Sequence, residues 1–297
     1  MKDLEGRVAV ITGAGSGIGA AMARRFGGAG MKIVVSDIDL GAAQATVATL
    51  AAAGVDAIAV RTDVADPAQV DALADAAYAR YGAVHLLCNN AGVVPAGRHR
   101  QVWEYPLEDW HWSNDVNFMG VVHGIRSFIP RMLEAGTPGH VVTTASVAGL
   151  ISSAGSVTYS AAKHAAVRVT EALYAGLIER GAAIGVSLLC PGLVNTRIYE
   201  SERNRPKTLQ PATGTAAESP ELAAVADQLY RSAISPETVA DQVFEAVIEN
   251  RFYVLTTSAF DTAIRSRCEA LLERRNPQFA SVLSLVQSDL HPQEKSS

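Results

Sequence analysis

Near its amino terminus the chain reads Val8-Ala9-Val10-Ile11-Thr12-Gly13-Ala14-Gly15-Ser16-Gly17-Ile18-Gly19. The first five residues are apolar or β-branched, which predicts a strand that is buried on both faces. The glycines that follow allow backbone conformations closed to other residues, and they let a ligand come close to the main chain. A helix is predicted to begin inside this turn, so its free amides and positive end would favour an anion. The stretch therefore predicts a strand, a phosphate-binding turn and a helix.

The spacing of the glycines indicates which type of nucleotide-binding turn is present. The pattern G-x-G-x-x-G is not met from Gly13, because Ile18 occupies its last position, and G-x-G-x-x-A fits only from Gly15. The informative spacing is Thr-Gly-x-x-x-Gly-x-Gly, which runs through Gly13, Gly17 and Gly19. Directly after a strand, this spacing predicts a dinucleotide site with Ser16 and Ile18 among its contacts. A glycine-rich turn that binds no ligand is the alternative.

Beyond this turn, apolar runs of strand length alternate with longer alanine-rich stretches of helical period. Strands are predicted at Val8–Thr12, Lys32–Ser36, Ala57–Arg61, Val84–Asn89, His140–Ala145, Ile184–Leu189 and Phe252–Leu255. Helices are predicted near Gly17–Gly28, Gly41–Ala53, Pro67–Tyr81, Leu107–Glu134, Tyr159–Glu179 and Pro236–Asn250. Strict alternation implies right-handed crossovers and a parallel sheet with helices on both faces. We therefore predict one α/β domain over residues 1–257, with a doubly wound sheet of about seven strands.

The regular pattern stops between Leu193 and about Ser235, where polar residues and prolines accumulate. Long irregular segments inside compact domains are usually functional lids or disordered. We predict a substrate lid over about residues 193–235, with a floppy surface insertion as the alternative. Residues 258–297 are predicted to form a C-terminal extension, which contains an amphipathic helix at Ala263–Arg275 and ends in a mobile tail.

The composition excludes several classes of function. Of the 297 residues, 25 are Lys or Arg and 30 are Asp or Glu, which gives a net charge of −5 and argues against a nucleic-acid groove. No apolar run approaches the length of a membrane span, and no room is seen for a signal peptide before the first strand. The three cysteines are scattered and the seven histidines show no ligand spacing, so no metal site is expected. A cytoplasmic protein without membrane or nucleic-acid partners is predicted.

A second motif lies in the middle of the chain, where Tyr159 and Lys163 stand four residues apart on a predicted helix. Residues at this spacing share one face of the helix. An ammonium held beside a phenol favours the phenolate, which makes the tyrosine a usable base near neutral pH. Ser146, at the end of an apolar run, could bring a hydroxyl to the same place. Alone, the spacing is a frequent accident; its weight comes from the nucleotide motif upstream.

The second predicted strand ends at Ser36-Asp37, and Asp37 stands eighteen residues after Gly19. An acid at this position can accept hydrogen bonds from the hydroxyls of an adenosine ribose. It would also repel a 2′-phosphate, and neither of its sequence neighbours, Ser36 and Ile38, is basic. These residues favour NAD over NADP; a solvated acid at a strand end is the alternative.

Taken together with Asn89-Asn90-Ala91-Gly92 and Asn117, these motifs resemble the classical short-chain dehydrogenase/reductases over about residues 5–255. The resemblance implies a single Rossmann-like domain. It also implies a catalytic set and cofactor contacts from several parts of the chain. The catalytic set would be Asn117, Ser146, Tyr159 and Lys163. The cofactor contacts would add Asp63, Val64, Asn90, Ala91, Gly92, Pro191, Val194 and Thr196 to Gly13, Ser16, Gly17, Ile18, Gly19, Asp37, Tyr159 and Lys163.

The same resemblance implies the reaction. Tyr159 would act as acid and base on a secondary alcohol or ketone, Lys163 would lower its pKa and hold the ribose, and Ser146 would orient the substrate oxygen. Asn117 would hold a water that relays protons. The partner would be a small hydrophobic alcohol or ketone, loosely similar to the bulky aromatic alcohols of some relatives, and a homodimer or homotetramer is expected. An NADPH-dependent carbonyl or ketoacyl reductase and a non-catalytic NAD(H) sensor remain alternatives.

A further aromatic group, Trp103, Tyr105, Trp110 and Trp112, follows the fourth predicted strand and reaches into the start of the long fourth helix. These side chains could flank a lipophilic substrate. Packing against a neighbouring helix or subunit is the favoured interpretation of the group.

Overall fold

Strand β1 (Val8–Thr12) runs through the middle of the sheet, and all five of its residues are buried in this computed structural model. The structure describes residues 1, 3–96, 100–152, 156–212 and 231–279. The strand pairs in parallel with a neighbour on each side, so neither of its edges faces solvent. Its continuous apolar sequence follows from helices that cover both faces.

The sheet has seven strands in the order β3-β2-β1-β4-β5-β6-β7, and every pair is parallel. The other strands are β2 (Lys32–Asp37), β3 (Ala57–Arg61), β4 (Leu86–Asn89), β5 (Gly139–Thr144), β6 (Ile184–Cys190) and β7 (Tyr253–Leu255). The predicted doubly wound parallel sheet is confirmed, with strand bounds within about two residues. The strand order reverses between β1 and β4, and the carboxyl ends of such strands form the binding crevice of open α/β sheets.

Helices cover the two faces of the sheet and build two separate cores. They are α1 (Gly17–Gly27), α2 (Leu40–Ala52), α3 (Pro67–Tyr81), α4 (Leu107–Asn114), α5 (Gly120–Ala135), α6 (Val157–Glu179), α7 (Pro236–Glu249) and α8 (Asp261–Leu272). Phe26 of α1 and Val243 of α7 belong to the core on one face. Leu73 of α3 and Phe128 of α5 belong to the core on the other. Among the residues that the structure describes, none of the helices combines the length and apolarity that a bilayer span requires.

The single helix predicted over Leu107–Glu134 is wrong in one respect. A π-helical turn at Asp115–Met119 separates α4 from α5. The cause lies at Asn117, which is fully buried and hydrogen-bonds both to the preceding turn at Ser113 and to the backbone of Val93 outside the helix. One extra residue in the turn lets the helix present this side chain inward, as π-bulges commonly do at functional sites.

The irregular segment after β6 is partly ordered by short 3₁₀ turns at Ile198–Asn204 and Lys207–Leu209. Val194 forms an isolated parallel bridge with Ile234, which ties the two ends of the predicted lid together. Residues 213–230 of that lid lie outside the described residues, so the lid assignment stays a prediction.

The C-terminal extension begins close to the loop that follows β5. Phe260 is buried against Val147 and Ile151, and α8 starts at the next residue. The amphipathic helix was predicted two residues later, at Ala263–Arg275. Residues 280–297, which include the predicted mobile tail, lie outside the described part of the chain. The division of the chain at residue 257 stays a prediction.

Candidate active site

A cleft of about 270 Å³ opens at the carboxyl ends of the strands, and it gathers most of the predicted site. The predicted residues that line it are Gly13, Ser16, Gly17, Ile18, Asp37, Asp63, Val64, Asn90, Ala91, Gly92, Tyr159, Lys163, Pro191 and Thr196. Four predicted residues, Gly19, Asn117, Ser146 and Val194, do not line it. All four are buried close behind its wall or in the core.

The glycine turn leaves its backbone open toward the cleft. Gly13 and Gly17 have φ angles of +64° and +54°, which side chains rarely tolerate. Ser16 caps α1 without a side-chain hydrogen bond, and the first turn of the helix carries no acidic residue. A Cβ atom on Gly17 would lie 3.1 Å from the Thr196 side chain. The free amides and positive end of α1 are therefore available to an anion.

The turn after β4 is fastened directly to the glycine turn. The Thr12 hydroxyl accepts hydrogen bonds from the amides of Asn90 (3.0 Å) and Ala91 (3.1 Å), and the Asn90 amide group donates to the Thr12 carbonyl (2.9 Å). The Thr144 hydroxyl then donates to Asn90 at 3.0 Å. Gly19 lies beneath this junction, because a Cβ there would come within 2.3 Å of the Gly13 carbonyl oxygen. Gly19 thus supports the turn rather than the cleft wall.

The carboxylate of Asp37 is held at the far end of the cleft by the backbone. It accepts hydrogen bonds from the amides of Gly15 (2.8 Å) and Asp39 (3.0 Å). A Cβ atom on Gly15 would lie only 2.7 Å from this carboxylate, so glycine is required there. Asp37 is therefore presented to the cleft in one orientation.

A basic residue that sequence reasoning missed also lines this cleft. Arg203 comes from the segment after β6. Burial lowers the pKa of its guanidinium, whereas the negative charges of Asp37 and Asp39 act in the opposite direction and favour its charged form. Its Nη1 atom donates to the carbonyls of Arg197 and Glu200, both at 2.8 Å. No sequence signal pointed to it, because the contact depends on how the irregular segment crosses the sheet.

Lys163 is buried at the base of the cleft beside Tyr159. Only 2% of its surface is exposed, and its Nζ atom donates to the Thr144 carbonyl at 2.8 Å. The same atom lies 5.6 Å from the centre of the Tyr159 ring. Burial lowers the pKa of Lys163 to about 8. The predicted pair is thus brought together on one helix face, with its ammonium withdrawn from solvent.

Asn117 lies close to Lys163, and Ser146 follows β5 at the start of a short 3₁₀ turn. The Ser146 hydroxyl accepts a hydrogen bond from the Ala148 amide at 3.1 Å. Asn117 accepts from the Val93 amide at 3.1 Å and donates to the Val93 carbonyl at 2.9 Å. A Cβ atom on Gly92 would lie 2.9 Å from Asn117 Oδ1 and 3.4 Å from Lys163 Nζ, so glycine lets the two side chains approach the same point.

Apolar side chains that the motifs did not identify also form part of the cleft wall. Ile198, Pro206 and Leu209 of the segment after β6 line it together with Val93 and Trp112. The predicted aromatic group is divided in the structure. Trp112 is buried in this wall, whereas Trp103 is 78% exposed, and Tyr105 packs edge-on against Trp110.

The end of the cleft near Asp37 offers a separate test of whether the site fits a dinucleotide. The Thr62 hydroxyl is buried, lines the cleft and lacks a hydrogen-bond partner within the described residues. Such a group usually meets a ligand or water. With Asp37 and the open glycine turn, it provides polar groups for both ends of an adenosine diphosphate. Among the described ranges, no group of three His, Cys, Asp or Glu is placed to hold a metal.

Comparison with known proteins agrees with this geometry. The sequence model of the family described as "short chain dehydrogenase" matches residues 7–207. The chain is 37% identical to 1-deoxy-11-beta-hydroxypentalenate dehydrogenase of Streptomyces avermitilis over 88% of each chain. It is 34% identical to a C alpha-dehydrogenase of a Sphingobium species, over 93% of this chain and 89% of that protein.

A solved structure supports the same relationship. A short chain dehydrogenase/reductase from Burkholderia phymatum in complex with NAD superposes with a TM-score of 0.89 at 47% identity, over 95% of this chain and 99% of that one. The predicted NAD cofactor accords with that complex. The chain belongs to the short chain dehydrogenase family.

Proposed function

We propose that this protein is an NAD-dependent dehydrogenase that interconverts a hydrophobic secondary alcohol and its ketone. One observation carries the proposal: the buried Lys163 ammonium lies beside Tyr159 at the base of a cleft that fits a dinucleotide. A buried cation next to a phenol favours the phenolate. An acid–base group is therefore placed where a carbinol could meet a nicotinamide.

The chain's own residues supply the proton chemistry. A nicotinamide dinucleotide, when bound, supplies the hydride acceptor or donor. During alcohol oxidation, Tyr159 as phenolate takes the proton of the substrate hydroxyl. Lys163 keeps the phenolate charged and would hold the ribose hydroxyls. In the reverse direction, Tyr159 returns the proton to the carbonyl oxygen.

Ser146 and Asn117 would assist from behind. The Ser146 hydroxyl would donate to the substrate oxygen, where charge develops during reaction. The side-chain amide of Asn117 is already engaged with Ser113 and Val93. The proposed relay water would therefore be held by the main-chain carbonyl of Asn117. This water would pass protons between Lys163 and solvent.

The choice of NAD rests on Asp37. Its carboxylate is fixed toward the cleft by two backbone amides and would accept from the ribose hydroxyls. We assign the diphosphate to the glycine turn, the adenine to Asp63 and Val64, and the nicotinamide amide to Val194 and Thr196. The remaining proposed contacts are Asn90, Ala91, Gly92 and Pro191. Cytoplasmic location and a homodimer or homotetramer stay predictions from the sequence.

A hydrophobic substrate is favoured by the apolar side chains that line the cleft, among them Ile198, Leu209 and Trp112. Apolar walls with a few fixed polar groups are typical of sites for hydrophobic small molecules. The named relatives include dehydrogenases of a hydroxypentalenate and of a C alpha position, which is consistent with a carbinol substrate.

Reduction of NAD across a panel of secondary alcohols tests the proposal, with cyclic, steroid-like and benzylic members. We expect NADH formation with at least one hydrophobic alcohol, and loss of that activity in the Tyr159→Phe variant with NADH binding retained. Equal rates in the variant would contradict the role of Tyr159. Activity with NADPH alone would favour a carbonyl or ketoacyl reductase. NADH binding without turnover of any alcohol or ketone would favour a sensor.

A further inference from the structure

Arg205 is a charged residue with no exposed side-chain surface. Its Nη2 atom pairs with the carboxylate of Asp109 on α4, which is itself buried, and its Nη1 atom contacts Glu202 at 3.1 Å. Its Nε atom donates to the Leu209 carbonyl at 2.8 Å. The guanidinium also lies 4.7 Å from the centre of the Trp112 ring. This one side chain therefore joins α4 to both ends of residues 202–209.

A second set of contacts joins the same stretch to the loop after β4. The Ser201 hydroxyl accepts a hydrogen bond from the Val94 amide at 3.1 Å. The Glu202 carboxylate accepts from the Ala96 amide at 2.9 Å while it also pairs with Arg205. Residues 198–209, here termed the seat segment, are thus fastened to two separate elements.

The seat segment forms one wall of the cleft. Ile198, Ser201 and Leu209 line it from the segment, and Trp112 lines it from α4. The ion pair lies behind this wall, since both of its charged side chains are withdrawn from solvent. Withdrawing two charges from water is costly, and a buried pair is often no more stable than apolar residues of similar volume. The pair is therefore better explained by the geometry that it imposes than by a gain in stability.

We propose that Arg205 is a positioning residue that seats residues 198–209 on α4 and thereby holds the substrate-facing wall in place before substrate binds. A planar guanidinium with donors in fixed directions suits this task, because it can bond to Asp109, Glu202 and Leu209 at once while stacking on an indole ring. Lysine would keep the charge but not these simultaneous contacts. The kinetic part of the inference rests on the proposed function; the structural part does not.

Two variants test the proposal. Arg205→Lys leaves the buried Asp109 with a cationic partner, and Asp109→Leu combined with Arg205→Met removes both charges, so at least one of them is expected to fold. Hydrogen exchange of the Val94 and Ala96 amides reports seating directly, because both donate to the seat segment. We expect these amides to exchange about tenfold faster or more in Arg205→Lys, while amides of β1 are unaffected.

The kinetic test compares the effect of each variant on KM with its effect on kcat. For the alcohol found in the panel, we expect Arg205→Lys to raise KM by about tenfold, with kcat and the dissociation constant of NADH changed by less than about threefold. Leu73→Ala is the matched control, since it destabilises a buried site in the core between α3 and the sheet, away from the cleft.

Four outcomes decide between the proposal and its alternatives. Unchanged protection of Val94 and Ala96 in both variants overturns the proposal, and so does an equal rise of KM in Leu73→Ala at a similar loss of stability. Faster exchange together with the KM effect supports it. If the wild-type protein oxidises no alcohol, the proposed function fails, yet the exchange result still decides whether Arg205 seats the segment.

Discussion

The Nζ atom of Lys163 lies 5.6 Å from the centre of the Tyr159 ring and is almost completely buried. Within the described residues, its hydrogen bond goes to the backbone carbonyl of Thr144. Burial lowers the pKa of Lys163, so we expect the charged form of this side chain to reduce the stability of the fold. In the proposed function, this cost in stability accompanies the acid–base role of the pair.

Replacement of Lys163 by Met should raise the stability of the fold and abolish turnover. Met has a similar length and no charge, so we expect the free energy of unfolding at pH 7 to rise by about 1–3 kcal/mol, even without the bond to Thr144, while turnover is lost. Unfolded lysine titrates near 10.5 and the folded group near 8. Between these values the unfolded chain binds more protons, so wild-type stability rises with pH there.

Urea unfolding at pH 7 and pH 10 measures the effect, and the advantage of Lys163→Met should shrink at the higher pH. Lys32→Met, at a partly exposed position outside the cleft, is the control for loss of a lysine. A variant that is less stable than wild type at pH 7 would contradict the interpretation.

Removal of the charge on Asp37 should change the preference between cofactors. Asp37→Asn keeps an oxygen that can accept from the Gly15 amide but no longer repels a 2′-phosphate. With the positive Arg203 in the same cleft, we expect the ratio of kcat/KM for NADP to that for NAD to rise about tenfold or more, which corresponds to about 1.4 kcal/mol. Asp56→Asn, in an exposed ion pair outside the cleft, should leave the ratio unchanged. An unaltered ratio in Asp37→Asn would remove this residue from cofactor selection.

A methyl group on Gly15 should weaken cofactor binding, because its Cβ would lie 2.7 Å from Asp37 and 2.8 Å from the Ala42 side chain. Overpacking of this kind costs about 1–3 kcal/mol, so we expect the dissociation constant of NADH to rise about tenfold or more. Gly176→Ala is the matched control: its Cβ meets nothing within 4 Å on helix α6, and it should add about 0.5–1 kcal/mol of stability without altering NADH binding. Fluorescence titration with NADH distinguishes the two variants.

His140 should make the protein sensitive to acid. The ring is fully buried, and its Nε2 atom lies 2.8 Å from the Ser187 hydroxyl, which donates its own hydrogen to the Arg251 carbonyl. Nε2 therefore carries the proton, and Nδ1 has no partner in the described part of the chain. Burial lowers the pKa of His140 from 6.5 to about 3.

The unfolded chain thus binds one proton more than the folded chain between about pH 6.5 and pH 3, and stability falls as the pH is lowered through this range. The slope from one such group is about 1.4 kcal/mol per pH unit. We expect His140→Gln to reduce the slope of unfolding free energy against pH by up to this amount. Denaturant midpoints at several pH values supply the slope, and parallel curves for the two proteins would exclude His140 as the source.

Local sequence patterns were sufficient to predict individual strands and helices. The bounds of β1, β3 and α3 agree with the prediction, because apolar runs, an N-terminal proline and turn residues mark them. The glycine turn and the Tyr159–Lys163 pair were also found from spacing, because each lies within one element or one turn.

The wall formed by the seat segment could not be found in this way. Arg203 and Arg205 lie in a polar, proline-punctuated stretch that shows no regular period, and their partners on β2 and α4 are remote in sequence. The π-helical turn at Asp115–Met119 was not predicted either, because the hydrophobic period of a helix does not reveal one additional residue within a turn. Contacts between irregular segments and distant elements depend on the tertiary path of the chain.

That additional residue has a consequence for insertions and deletions in this part of the gene. Successive residues of an α-helix are turned by about 100° around its axis, so losing one residue within 115–119 would rewind the helix and rotate everything before it relative to α5. Asp109 and Trp112 would swing away from Arg205, although none of the three had been changed. Functional variants of this protein should therefore tolerate substitutions here but no insertion or deletion between Asp109 and Gly120.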